Sequence, residues 1–189
     1  VERRRALATI GGQAYRIRDM IGDLMLFADS PAPQPQLVPI AEAAQDIAAS
    51  MAEKLQAAGC SLELDIEKNQ EVWADRRQFE SVLGCLLQNS LDASRPGTPV
   101  VLTSRAAFRA GAPAARICVT DCGRGIDESV RAHPCDPLYS GRQAGRGLVF
   151  GLSKCWRIVT NHGGTISFAS IPGGETTFEV LWPSAGRPA

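Results

Sequence analysis

Three short segments of this chain carry residues whose types and spacing suit the handling of a charged ligand. The first is Leu86-Leu87-Gln88-Asn89-Ser90-Leu91-Asp92-Ala93. Asparagine is unfavourable inside a helix because its amide competes for backbone hydrogen bonds, so Asn89 in an otherwise helical stretch calls for a polar partner. Its amide oxygen is the kind of hard donor that Mg2+ accepts; a plain surface asparagine is the competing reading. The second segment is Thr120-Asp121-Cys122-Gly123-Arg124-Gly125-Ile126, directly after an apolar run. A carboxylate at a strand's end can accept a hydrogen bond from an exocyclic amine, and the glycines let the backbone turn sharply and approach a flat ring. An ordinary strand-ending turn would look the same. The third is Gly145-Arg146-Gly147-Leu148-Val149-Phe150-Gly151-Leu152. Glycines ahead of a helix leave backbone N–H groups free to hold phosphates, aided by the helix dipole. Taken singly, a Gly-rich loop is weak evidence.

The elements that must position these residues are legible in the hydrophobic pattern. Val1 to Asp29 reads as a proline-free helix, with Leu7, Ile10, Ala14, Ile17, Ile21 and Leu24 alternating spacings of three and four, a heptad seam. Pro31, Pro33 and Pro35 end it in a stiff connector. Ile40, Ala44, Ile47, Met51 and Leu55 mark one face of a second helix, stopped at Gly59. Ser61 to Ile66 alternates as a half-buried strand, and Val72-Trp73 is a second strand. Asp75 with Gln78 is a capping signal for a helix from Arg76 to about Ala93. Val100–Ser104 and Arg116–Thr120 read as central strands, and Leu152–Asn161 as a helix stopped by Gly163-Gly164. Thr165–Ala169 and Thr177–Trp182 are final strands around a turn at Pro172-Gly173-Gly174. The expectation is an α+β fold, a two-layer α/β sandwich preceded by a long N-terminal helix. Its divisions are a helix at 1–30, a proline-rich linker at 31–36, a domain at 37–184 and a tail at 185–189.

Composition narrows the class. Apolar residues make up 44% of 189, enough for a sizeable core. Lys+Arg and Asp+Glu are both 20, and that balance argues against a nucleic-acid partner. The six cysteines (Cys60, Cys85, Cys118, Cys122, Cys135, Cys155) form no CxxC, so buried, reduced thiols of a cytoplasmic protein are expected. No apolar run approaches the ~20 residues that span a bilayer. The chain opens on Val1 without Met, which suggests a piece of a longer protein whose parent could be membrane-anchored.

In this order and spacing, the three segments resemble the N, G1 and G2 boxes of the histidine kinase ATPase family. That family shares its nucleotide fold with type II topoisomerases, Hsp90 chaperones and MutL repair proteins. Between the last two boxes, Cys135-Asp136-Pro137-Leu138-Tyr139-Ser140 resembles a worn F box, and Arg142 falls where kinases carry a lid Lys or Arg. Met20 to Pro35 is similar to the end of a second dimerisation helix and its proline-rich exit, which favours a sensor histidine kinase over the other members. The resemblance implies ATP and Mg2+ as cofactors. Asn89 would bind Mg2+, Asp121 the adenine amine, and Gly123 and Gly125 would shape the base pocket. Gly145, Gly147 and Gly151 would form the lid hinge near the phosphates, Arg142 with Arg146 would touch the γ-phosphate, and Thr176 would sit near the adenine. It further implies transfer of the γ-phosphate to a histidine on a separate helix, a response regulator as partner, and a homodimer through the N-terminal helix. The only histidines here, His133 before Pro134 and His162 before Gly163-Gly164, lack the mid-helix setting of a phosphoacceptor, so autophosphorylation by this chain alone is not expected. Three departures support an alternative, a degenerate module that binds nucleotide or dimerises without catalysis. Cys85 replaces the usual polar residue one turn before Asn89, Val149 replaces a glycine, and the F box lacks phenylalanine.

Overall fold

The computed structural model describes residues 33–126 and 151–184. These form, in order, β1 (Gln36–Pro39), α1 (Ile40–Ala58), β2 (Ser61–Ile66), β3 (Glu71–Ala74), α2 (Arg76–Ala93), β4 (Pro99–Arg109) and β5 (Ala112–Asp121). After the interval come α3 (Gly151–Asn161), β6 (Thr165–Ser170) and β7 (Thr176–Pro183). The predicted N-terminal helix at 1–30, the tail at 185–189, and His133, Cys135, Arg142, Gly145, Arg146, Gly147 and Val149 lie outside the described residues.

The main sheet is five-stranded, in the order β2-β4-β5-β7-β6. Only β2 and β4 run parallel; the other pairings are antiparallel. Alternation decides which face is covered. Along β7, Thr176, Phe178, Val180 and Trp182 point inward; along β4, Val100, Leu102 and Ser104 do so. The opposite face is polar and open, with ion pairs Arg105–Asp65 and Arg116–Glu179 and a hydroxyl pair Thr120–Thr177. One covered face and one solvated face is the two-layer sandwich that the sequence predicts.

The helical layer follows from its own stripes. α2 turns Phe79, Val82, Leu83, Leu86, Leu87, Ser90 and Leu91 onto the sheet, and α1 contributes Ile40, Ala43, Ala44, Met51 and Leu55. Phe79 meets Trp182 edge-on at 5.0 Å between centroids, the aromatic centre of the core. α1 stops where Gly59 takes the left-handed conformation, φ 66°, as its position predicts. Asp75 caps α2 by accepting from the Gln78 N–H at 3.1 Å, also as predicted.

Three features depart from the sequence pattern. The β4–β5 hairpin extends to Arg109 and back from Ala112, well past the expected strand ends, because residues from Ala106 to Phe108 pair with Pro113–Ala115 without clean alternation. A strand at Gln36–Pro39, starting within the expected linker, pairs with β3 in a separate two-stranded ribbon. Val72 and Trp73 therefore belong to that ribbon and not to the main sheet. The third departure concerns the thiols. The five described cysteines are free, yet only Cys155 is buried: Cys118 lies on the open sheet face and Cys122 on an exposed loop. No helix among the described residues is long and apolar enough to cross a membrane.

Candidate functional site

Register builds the centre of the site. Asp121 pairs with Thr176 across β5–β7, and Thr176 pairs with Ser170 across β6–β7. Directly paired residues point to the same side of a sheet, so three polar side chains stand in a row on the covered face. Each is removed from water: Asp121 is 1% exposed, Thr176 2% and Ser170 6%. Ser90, fully buried on the inner face of α2, comes down beside Asp121.

The carboxylate is half-satisfied. Asp121 Oδ1 accepts from the Gly123 N–H at 3.0 Å, while Oδ2 and Ser90 Oγ are buried without a completed hydrogen bond. Burial raises the Asp121 carboxyl above its usual range; Ser90 and the Gly123 N–H hold it down, Glu175 pushes it up and Arg124 pulls it back. Ser90 is the protein donor beside Asp121, and a carboxylate oxygen has lone pairs enough to accept from a second donor outside the protein. An exocyclic amine would serve as that second donor.

The glycines of the loop have a second role that the sequence does not reveal. A Cβ on Gly123 would overlap the Ala93 carbonyl oxygen at the end of α2, and one on Gly125 would overlap the Ile171 carbonyl oxygen in the β6–β7 turn. Gly125 also sits at φ +68°, where a side chain is strained. The turn is tied to this loop by Gly173 N–H donating to the Arg124 carbonyl at 2.8 Å, and by Arg95 donating to the Gly173 carbonyl at 3.0 Å. Ile126 N–H donates to Ser170 Oγ at 2.9 Å. The glycines thus let the loop dock onto two neighbours beside Asp121.

Asn89 stands half-buried one residue before Ser90, at the rim of the same helix face. Its amide Nδ2 donates to Cys85 Sγ at 3.7 Å, and its Oδ1 has no partner among the described residues. An open amide oxygen suits a hard cation. No group of three or more His, Cys, Asp or Glu among the described residues could hold a metal by itself. An ion here would take most of its coordination from phosphates and water, as Mg2+ commonly does. Gly151 is buried in α3.

His162 is not part of this centre. Its Nδ1 contacts the Ile158 carbonyl at 2.8 Å and its Nε2 accepts from the Asp75 N–H at 3.0 Å. Burial lowers its proton affinity, so it is a neutral strut that donates from Nδ1. His162 therefore contacts a carbonyl near the end of α3 without the charge that would engage the helix dipole.

The structure therefore brings Asp121, Gly123, Gly125 and Thr176 together, with Asn89 at the rim. Ser90 and Ser170 carry no role in the sequence reading. Ser90 is visible there as an inner-face residue of α2, a polar type at an apolar position. Nothing in the sequence alone aligns Ser170 with Asp121.

Residues 74–186 match the model of the family described as histidine kinase-, DNA gyrase B-, and HSP90-like ATPase. The C4-dicarboxylate transport sensor protein DctS of Rhodobacter capsulatus is similar, at 36% identity over 194 residues covering 98% of this chain and 28% of the relative. The chain spans about a third or less of the length of the curated relatives it matches. The nucleotide-free catalytic domain of histidine kinase ThkA superposes with a TM-score of 0.70 at 24% identity, over 80% of this chain and 96% of that one. ThkA in complex with the response regulator protein TrrA gives a TM-score of 0.77 at 20% identity, over 94% of this chain and 50% of that one. At those identities the solved structures share the fold.

Proposed function

Because the chain belongs to the family of histidine kinase-, DNA gyrase B- and HSP90-like ATPases, we propose that it is the ATP-binding catalytic module of a two-component sensor histidine kinase. It would pass the γ-phosphate of ATP to a histidine on a separate helix. The observation that carries this reading is the buried Asp121 carboxylate with Oδ2 unpaired, beside a glycine loop docked on α2 and on the β6–β7 turn.

In this reading Asp121 accepts from the adenine amine and Thr176 contacts the same ring edge. Gly123 and Gly125 hold the loop that shapes the pocket. Asn89 Oδ1 binds Mg2+, which neutralises phosphate charge when bound. Gly151, with Gly145 and Gly147 before it, offers backbone N–H groups to the phosphates, and Arg142 adds a cation at the γ-phosphate. The domain's work is then to bind, orient and exclude water, leaving the nucleophile to another element. The parent would dimerise through the helix that the sequence predicts at 1–30 and hand its phosphoryl group to a response regulator. ThkA, of the same fold, is described in complex with one.

The test is calorimetric titration with Mg2+·ATP. Wild type should bind, and Asp121→Ala should abolish binding, since no other described group is placed to read the amine. Equal binding by both would sink the assignment. Incubation with γ-labelled ATP should leave His162 unlabelled, because both its nitrogens are engaged inside the core. A second reading, a nucleotide-binding module without turnover, draws on the thiol that Cys85 places against Asn89. Phosphotransfer to a supplied phosphoacceptor helix separates the two.

A further inference from the structure

We propose that Ser170 is a positioning residue of the base pocket: it fixes the polarity of the Thr176 hydroxyl, so that the pocket offers one acceptor and one donor, side by side, to an amidine edge. The proposal rests on the reading above that Asp121 and Thr176 face the nucleobase, and it assigns the discrimination to a residue that never touches the ligand.

Protons can be counted along the row Ser170–Thr176–Asp121. Ile126 N–H can only donate, so at 2.9 Å it makes Ser170 Oγ an acceptor. Ser170 then has its own proton to place. Its other partner is Thr176 Oγ1, at 2.8 Å. Were Thr176 to donate in that contact, the Ser170 proton would be left without an acceptor at a site only 6% exposed, which is costly. Ser170 therefore donates to Thr176. The Thr176 proton must turn away from Ser170, on the side where Asp121, its register partner on β5, stands with Oδ2 unpaired.

The pocket consequently presents a carboxylate acceptor from β5 and a hydroxyl donor from β7. The matching ligand edge is an exocyclic amine next to a ring-nitrogen acceptor, which adenine carries. At the corresponding C6/N1 edge, hypoxanthine and guanine carry the reverse, a carbonyl acceptor next to a ring N–H. A carboxylate alone would select the amine; the fixed hydroxyl adds recognition of the neighbouring ring nitrogen. The chain of hydrogen bonds begins at Ile126 in the glycine loop, so the docking of that loop and the polarity of the pocket are one arrangement.

The experiment compares ATP with 1-deaza-ATP, which keeps the amine and lacks the ring acceptor, by calorimetry on the whole chain. Wild type should bind ATP about tenfold more tightly than 1-deaza-ATP, the size of one net hydrogen bond. In Ser170→Ala, and equally in Thr176→Val, that gap should fall to about twofold or less, with 1-deaza-ATP affinity hardly changed. The double variant should show no further loss, since both substitutions break the same contact. A wild type that binds the two nucleotides equally overturns the proposal without any mutant being made. So does a Ser170→Ala that weakens both nucleotides by the same factor, the mark of a purely structural role. Asp121→Ala keeps the two levels apart. If it binds ATP like wild type, the pocket assignment itself fails. If it loses ATP while wild type shows no gap, only the role of Ser170 fails.

Discussion

Asp121→Asn should move stability and binding in opposite directions. The substitution keeps the shape, and its side-chain carbonyl can still accept from the Gly123 N–H as Oδ1 does. What changes is the other atom: the buried, unpaired Oδ2 becomes an NH2. Stability responds to the lost charge. Burial raises the Asp121 carboxyl in the folded state above the reference value of 3.8. A raised carboxyl binds more protons folded than unfolded, so its favourable contribution is complete at pH values below the unfolded pKa and is lost as pH rises through the folded pKa. Each pH unit between the two removes about 1.4 kcal/mol. At 1% exposure, solvent does little to relieve this. The amide has no such term, so Asp121→Asn should match wild type in urea denaturation near pH 4 and exceed it at pH 8. Binding responds to the new donor. An amine that donated to a carboxylate would face an NH2, losing a charge-assisted bond of about 1.5–3 kcal/mol, roughly ten- to hundredfold or more in affinity for ATP. A variant less stable than wild type at pH 8 would show that the carboxylate is not under strain. A variant that keeps ATP affinity would show that no amine is read there.

The same geometry sets three further outcomes. Asn89→Ala should leave metal-free nucleotide binding within about twofold and remove most of the gain on adding Mg2+, read by titrating the ion at fixed ATP. Gly125→Ala forces a side chain onto φ +68° and into the Ile171 carbonyl oxygen, so it should undock the loop. Circular dichroism melting should then show a loss of about 1–3 kcal/mol, with ATP affinity falling too. His162 has its proton affinity lowered by burial. Its contribution is therefore present above the unfolded pKa of about 6.5 and lost as pH falls toward the folded value. The margin in melting temperature of wild type over His162→Gln should therefore shrink between pH 7.5 and pH 5, with the variant less stable at pH 7.5.

The parts of the fold that sequence discloses are those carried by local signals. Asp75, Gln78, Gly59 and Gly163 mark helix ends because caps and left-handed residues act within a few positions. The helix stripes on α1 and α2 and the alternation of β7 are equally local. What sequence hides is decided by distant partners. β1 exists because Gln36–Pro39 finds β3 some thirty residues on, and four residues after a proline run give no periodicity to detect. The outer half of the β4–β5 hairpin is strand because each arm supplies the other's hydrogen bonds, in spite of a run rich in alanine. At the candidate site, motif spacing singles out Asp121, Gly123, Gly125 and Asn89, which the fold brings near one another. It misses Ser90 and Ser170 because their chemistry lies in what they face, and facing is a matter of register and helix packing.

That division bears on how a pocket of this kind can change. The carboxylate, the loop glycines and the rim asparagine are each tied to a feature of the backbone, respectively a strand end, a close approach and a helix face. The hydroxyls of Ser90, Ser170 and Thr176 have no such tie, since any small side chain would fit a row between paired strands or a helix and a sheet. In the proposed base site they are also the groups that would decide which atoms donate and which accept. On the proposed reading, recognition of the amine is bound to the architecture, whereas the polarity beside it rests on side chains that could be exchanged while the fold stays intact. A loss of base discrimination with retained stability is the failure this arrangement permits most readily. A loss of the carboxylate's partner loop, by contrast, takes fold and binding together, because Gly123 and Gly125 serve both at once.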